Sequence, residues 1–182
     1  MKNMKIGIIG CGNISGIYMD NFRDMFQNVE VVSCADLDMA KAEAVADKYG
    51  ITAVTPRKML KDSNISLIVN LTVPNAHANV ATRAVRSGKH VYNEKPLALT
   101  RTQGKKLLSL AEKNDVRVGC APDTFLGAGI QTCGKLIDDG AIGIPIGATA
   151  FMTSHGPEDW HPNPDFFYKI GGGPMLIWDH IT

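Results

Sequence analysis

Short apolar runs bounded by polar residues or glycine recur along the first two thirds of the chain, at 5–9, 30–35, 66–71, 90–93 and 117–121. Their length and apolar continuity predict strands buried on both faces. Between them, segments 14–26, 39–49, 76–87 and 101–114 mix apolar and polar residues at helical spacing, with Gly50 and Gly88 as stop signals and Thr100 as an N-cap before Arg101. Regular strand–helix alternation predicts an α/β fold, a doubly wound parallel sheet covered by helices on both sides. After Asp123 the pattern changes: a helix-like stretch at 130–138, a strand-like run at 144–152, then a loop rich in Pro, His and aromatic residues. A boundary is therefore expected near Pro122, dividing an α/β domain, 1–122, from a segment of different character, 123–182.

Composition narrows the function classes. The 182 residues are 45% hydrophobic and 20% charged, within the soluble globular range. Nineteen basic and eighteen acidic residues give a net charge of +1 with no block of one sign, which argues against nucleic acid as a partner. Cys11, Cys34, Cys120 and Cys133 stand far apart without metal-ligand spacing, so neither zinc nor a disulfide framework is expected. No signal peptide or membrane span is read, and a reducing, cytoplasmic setting is expected.

The first strand runs into Gly10-Cys11-Gly12-Asn13-Ile14-Ser15 and then a helix. In that context Gly10 permits a tight turn, Gly12 lets the backbone approach a pyrophosphate, and small Ser15 takes the third glycine position. The helix N-terminus, with Asn13 and Ile14 at its entrance, offers free N–H groups to an anion. Asp36 ends the second strand about twenty residues later, where a carboxylate accepts both hydroxyls of an adenosine ribose. Leu37 rather than arginine follows it, favouring NAD over NADP, although Lys41 lies a turn further on. An alternative role for Asp36 is capping the helix at Met39, a task open also to Asp38.

Two further strand ends deliver polar groups to the same carboxyl edge of the sheet. Thr72-Val73-Pro74-Asn75-Ala76-His77 opens a helix, with Pro74 holding the chain extended, and Asn93-Glu94-Lys95-Pro96 brings a carboxylate and an ammonium. Taken with Gly140-Ala141-Ile142-Gly143, these segments resemble the glucose-fructose oxidoreductase, inositol dehydrogenase and rhizopine catabolism family, Gfo/Idh/MocA. That resemblance implies a catalytic role for Lys95 and places Glu94 and Asn75 near the nicotinamide ribose. An ammonium at a carbinol oxygen stabilises developing alkoxide or, when neutral, moves its proton. The plainer reading of Lys95 is a surface lysine paired with Glu94. His77 is grouped with Thr72, Pro74 and Asn75 at the cofactor loops but given no catalytic role, because a histidine there commonly fills space and bonds backbone. Cys11 is expected to face the cofactor passively.

The glycine turn and the resemblance together make 1–122 an NAD-binding Rossmann domain, and the resemblance implies that 123–182 is the incomplete start of an α+β substrate domain that covers the nicotinamide and binds substrate, in a chain about twice this length. His155, Glu158, Asp159, Trp160 and His161 suggest a sugar or polyol surface. Where the family continues with aspartate and, four residues on, histidine or tyrosine, this chain reads Ile177-Trp178-Asp179-His180-Ile181-Thr182. A family-like Asp-Met-Gly-Pro-Tyr-Tyr, written GAT ATG GGA CCA TAT TAC, yields that ending when its first G is lost, so a frameshift near Leu176 is expected. The stub at 144–152 should then expose a strand edge and self-associate, giving a homo-oligomer. The expected function is an NAD-dependent oxidoreductase acting on a hydroxyl carbon of a sugar, inositol or related polyol, impaired by truncation. The competing expectations are a catalytically silent NAD-binding module, serving as sensor or partner subunit, and a methyltransferase.

Overall fold

The computed structural model describes residues 3–122, 124–149, 151, 153, 155–169 and 171–172, and divides into two compact units, Met1–Ala121 and Pro122–Thr182. The first unit holds six strands: β1 (Met4–Ile9), β2 (Val29–Ala35), β3 (Thr52–Ala53), β4 (Leu67–Asn70), β5 (His90–Asn93) and β6 (Val118–Cys120). Five helices connect them: α1 (Ser15–Asp24), α2 (Met39–Tyr49), α3 (Pro56–Lys61), α4 (Pro74–Arg86) and α5 (Arg101–Lys113). All neighbouring strands are parallel, in the order β3-β2-β1-β4-β5-β6. This is the doubly wound Rossmann arrangement, whose strand order reverses direction between β1 and β4.

Strand side chains alternate between two cores, as a sheet buried on both faces requires. Ile6, Ile8 and Val69 pack with Met19 of α1 and Ala42 and Ala46 of α2. Ile9, Ile68 and Val91 pack on the other face with Ala81 and Val85 of α4 and Leu107 of α5. Alanines at the helix contacts let the helices lie close to the sheet. Thr100 caps α5 through a reciprocal pair of bonds with Gln103, and Gly50 closes α2 in the left-handed conformation. Pro74 is the first residue of α4 rather than an extended residue before it, a position where the missing N–H costs nothing.

Strand β3 and helix α3 are elements that the hydrophobic pattern does not single out. A two-residue strand has no periodicity to detect, and six-residue α3 rests on local chemistry, the Thr55 hydroxyl accepting from Lys58 N at 3.3 Å and Pro56 in its first turn.

In the second unit, α6 (Ala128–Asp138) lies between two short 3-10 turns, Thr124–Leu126 and Pro164–Tyr168. The strand expected at 144–152 is absent among the described residues there, and Ile144, Ile146 and Phe151 are all exposed. A strand exists through pairing, and the described residues of this unit contain no second strand to pair with. The ending at 177–182, with Asp179 and His180, lies outside the described residues.

Gly10 is the tightest point of the fold. It sits at φ 108°, and a Cβ there would lie 2.6 Å from the Leu71 carbonyl carbon and oxygen and 2.8 Å from Thr72 N. Gly10→Ala is expected to cost about 2–4 kcal/mol in a urea titration, through backbone strain and overpacking together. Gly12→Ala should cost under about 1 kcal/mol, since a Cβ there meets nothing within 4 Å.

Candidate functional site

Strand ends β1, β2, β4 and β5 place their following loops along one carboxyl edge of the sheet. The β1 loop is the glycine turn. Gly12, Asn13 and Ile14 are exposed, while Ser15 is buried and its hydroxyl donates to the Gly12 carbonyl at 2.7 Å. Serine thus fits the position of the third glycine and bonds across the turn it replaces. No side chain caps α1 and no acidic residue stands in its first turn, which leaves the positive end of the helix open to an anion.

The Asp36 carboxylate bends back to this turn. Its Oδ2 accepts from the Cys11 N–H at 2.8 Å and its Oδ1 from the Asp38 N–H at 3.0 Å. Helix capping falls to Asp38, whose carboxylate accepts from Ala40 N at 3.2 Å. The expectation for Cys11 needs correction: its side chain is buried in the core, and its thiol points at the Ala35 carbonyl, 3.7 Å away. That thiol is held protonated, first by its hydrogen bond with Cys34 and then by burial. The backbone N–H of Cys11, not its sulfur, faces Asp36.

The β4 and β5 loops stand on a buried polar network that sequence reasoning missed. Asn70 and Asn93, the last residues of their strands, are wholly buried and joined by Asn70 Nδ2 donating to Asn93 Oδ1 at 2.9 Å. Asn70 Oδ1 also accepts from the Thr72 hydroxyl at 2.7 Å, and Asn93 Nδ2 donates to the Leu97 carbonyl at 3.2 Å. His77 lies beneath both loops, 1% exposed, with Nδ1 2.6 Å from the Pro96 carbonyl and Nε2 2.8 Å from the Thr72 carbonyl. Its ring is therefore occupied by backbone and links the two loops, while Asn75 stands exposed at the start of α4. The available signal was an asparagine closing each of two strands, Leu67–Asn70 and His90–Asn93.

Glu94 and Lys95 emerge half-buried from β5. Glu94 Oε1 accepts from the Tyr18 hydroxyl at 2.6 Å and Oε2 from the Lys95 N–H at 3.0 Å. Burial lowers the Lys95 ammonium's hold on its proton, an effect the Glu94 carboxylate opposes. The neighbouring Cys120 thiol is pushed up to about 11 by burial and by the same carboxylate. A lysine that ionises below its ordinary range, beside a fixed carboxylate, suits proton transfer.

Within the second unit, Trp160, His161, Phe166 and Phe167 pack ring against ring, with His161 and Phe167 centroids 4.9 Å apart. Glu158 accepts from the Tyr168 hydroxyl at 2.5 Å, which lowers the glutamate and raises the tyrosine from their ordinary ranges. Among the described residues, no group of three or more His, Cys, Asp and Glu is placed to hold a metal ion, and no helix is long and apolar enough to cross a membrane.

Strand order, an uncapped glycine turn and the Asp36 carboxylate bonded to that turn are the features of a Rossmann fold of the dinucleotide-binding type. The chain belongs to the Gfo/Idh/MocA oxidoreductase family, whose NAD-binding Rossmann-fold model matches residues 4–121. It is 30% identical over 147 residues to inositol 2-dehydrogenase of Salmonella typhimurium, covering 79% of this chain and 44% of that protein. An NAD binding oxidoreductase from Klebsiella pneumoniae superposes with a TM-score of 0.70 at 26% identity, over 79% of this chain and 41% of that one. The WlbA dehydrogenase of Bordetella pertussis, solved with NADH and UDP-GlcNAcA, shares the fold with a TM-score of 0.72 at 24% identity, over 76% and 40% of the two chains. The chain thus spans less than half the length of these relatives.

Replacing His77 with leucine removes a buried ring whose two nitrogens lie against the Pro96 and Thr72 carbonyls, and with it the N–H that donates between the loops. We expect His77→Leu to lose about 2–4 kcal/mol of stability in urea, far more than an exposed histidine such as His155 replaced the same way.

Proposed function

We propose that this chain supplies the NAD-binding half of an oxidoreductase acting on a hydroxyl carbon of a sugar, inositol or related polyol. The observation that carries the reading is the bond from the Cys11 N–H to Asp36, which supports a shared site for a ribose-accepting carboxylate and the amides of the glycine turn. The residues fit a dinucleotide: Gly12 leaves open space where backbone must approach phosphate, and the N-terminus of α1 is uncapped. Asp36 would exchange its bond with the Cys11 N–H for the adenosine ribose hydroxyls, and a carboxylate there disfavours the 2′-phosphate of NADP.

When bound, NAD supplies the hydride acceptor. Gly10 and Gly12 shape the pyrophosphate turn, with Asn13 and Ile14 at the head of α1. Thr72, Pro74 and Asn75 border the nicotinamide end, and Glu94 offers acceptors to its ribose. His77 serves from below, by holding the Thr72 and Pro96 carbonyls. Burial lowers the affinity of Lys95 for its proton, and in its neutral form its Nζ would take the proton of the substrate hydroxyl, becoming ammonium, as the carbinol carbon gives up its hydride. The inositol dehydrogenase relatives support the polyol class of substrate.

Titration calorimetry with NAD, NADP and S-adenosylmethionine tests the reading. NAD should bind most tightly, and Asp36→Ala should weaken it about tenfold while narrowing the gap to NADP. Binding of S-adenosylmethionine alone, or of none of the three, would contradict it. Binding of NAD by a full-length relative-sized form without polyol-dependent reduction would favour the silent binding module instead.

A further inference from the structure

Tyr18 lies on α1, one helical turn past the glycine loop, yet its hydroxyl reaches across to the end of β5, 76 residues away in sequence. We propose that Tyr18 is the positioning residue of Glu94, fixing that carboxylate for the ribose at the nicotinamide end of the cofactor; this rests on the functional reading above. The 2.6 Å bond falls in the short range of hydroxyl–carboxylate pairs, which are among the stronger neutral-to-charged hydrogen bonds. A glutamate side chain left alone samples several rotamers and loses that freedom on binding. Here the freedom is already gone, because Tyr18 holds Oε1 and the Lys95 N–H holds Oε2.

The tyrosine is itself well anchored. Its ring packs on Phe22, with centroids 6.2 Å apart, and against the core beneath α1. The apolar body of the side chain fixes its position, and the hydroxyl is the polar handle. One helix therefore serves both ends of the cofactor: its N-terminus faces the pyrophosphate, and its second turn orients the group that meets the distal ribose. Phenylalanine preserves the packing and deletes only the handle.

The test compares NAD and ADP binding by titration calorimetry in the wild-type chain, Tyr18→Phe, Glu94→Ala and the double variant. ADP engages the glycine turn and Asp36 but lacks the nicotinamide ribose, so it reports folding and the adenosine half. Tyr18→Phe should raise the NAD dissociation constant about five- to tenfold, leave that of ADP unchanged, and add nothing in the Glu94→Ala background. Equal NAD affinity in wild type and Tyr18→Phe would overturn the positioning role. Parallel loss of NAD and ADP binding, or an undiminished effect without Glu94, would overturn it equally. A wild-type chain that binds ADP but not NAD would instead overturn the functional reading, and the positioning role with it.

Discussion

The geometry of the first unit depends on one close approach, backbone against backbone, where β1 ends beside β4. A side chain at Gly10 would drive its first carbon into the Leu71 carbonyl, so the two strand ends come this close only because none is there. Beyond that contact β1 leads into the glycine turn and β4 into the Thr72 loop, on either side of the reversal in strand order where folds of this kind bind ligands. Gly12 matters differently. A Cβ there would meet nothing within 4 Å, so the fold itself does not require the missing side chain.

Around the strand ends the loops are fixed by hydrogen bonds as well as by the apolar packing of Cys11, Leu71 and Leu97. Asn70, Asn93 and His77 are buried, and each spends its polar atoms on the loop backbones or on one another. Buried polar groups of this kind are costly when unpaired and stiffening when satisfied. The acid–base candidates Glu94 and Lys95 thus stand on a braced frame, the condition under which a small misplacement is avoided and a lowered lysine affinity for protons is useful.

Much of this was legible in the chain because the signals were local. The β5 strand and the α2 helix fall where apolar runs, helical spacing and Gly50 put them, and the Asp36 and Glu94-Lys95 segments follow their strands. What escaped was long-range or context-dependent. Tyr18 falls within the segment of helical spacing at 14–26, and nothing near it in sequence announces a partner at Glu94. Asn70 lay within the expected strand at 66–71 and Asn93 at the end of 90–93, and nothing local announces their pairing, which requires β4 and β5 to be neighbours. The run at 144–152 has strand-like composition, but composition supplies no pairing partner, and the described residues there stay irregular and exposed.

The most direct test is an amide-resolved NMR titration of the chain with NAD. Sharing of one crevice by turn and carboxylate predicts the largest shifts at the amides of Cys11, Gly12, Asn13 and Ile14, with Cys11 responding as its bond to Asp36 is exchanged. Amides at the opposite edge of the sheet, such as Asn64 and Lys89, should stay in place. Shifts confined to that opposite edge, or a glycine turn unmoved at saturating NAD, would contradict the account.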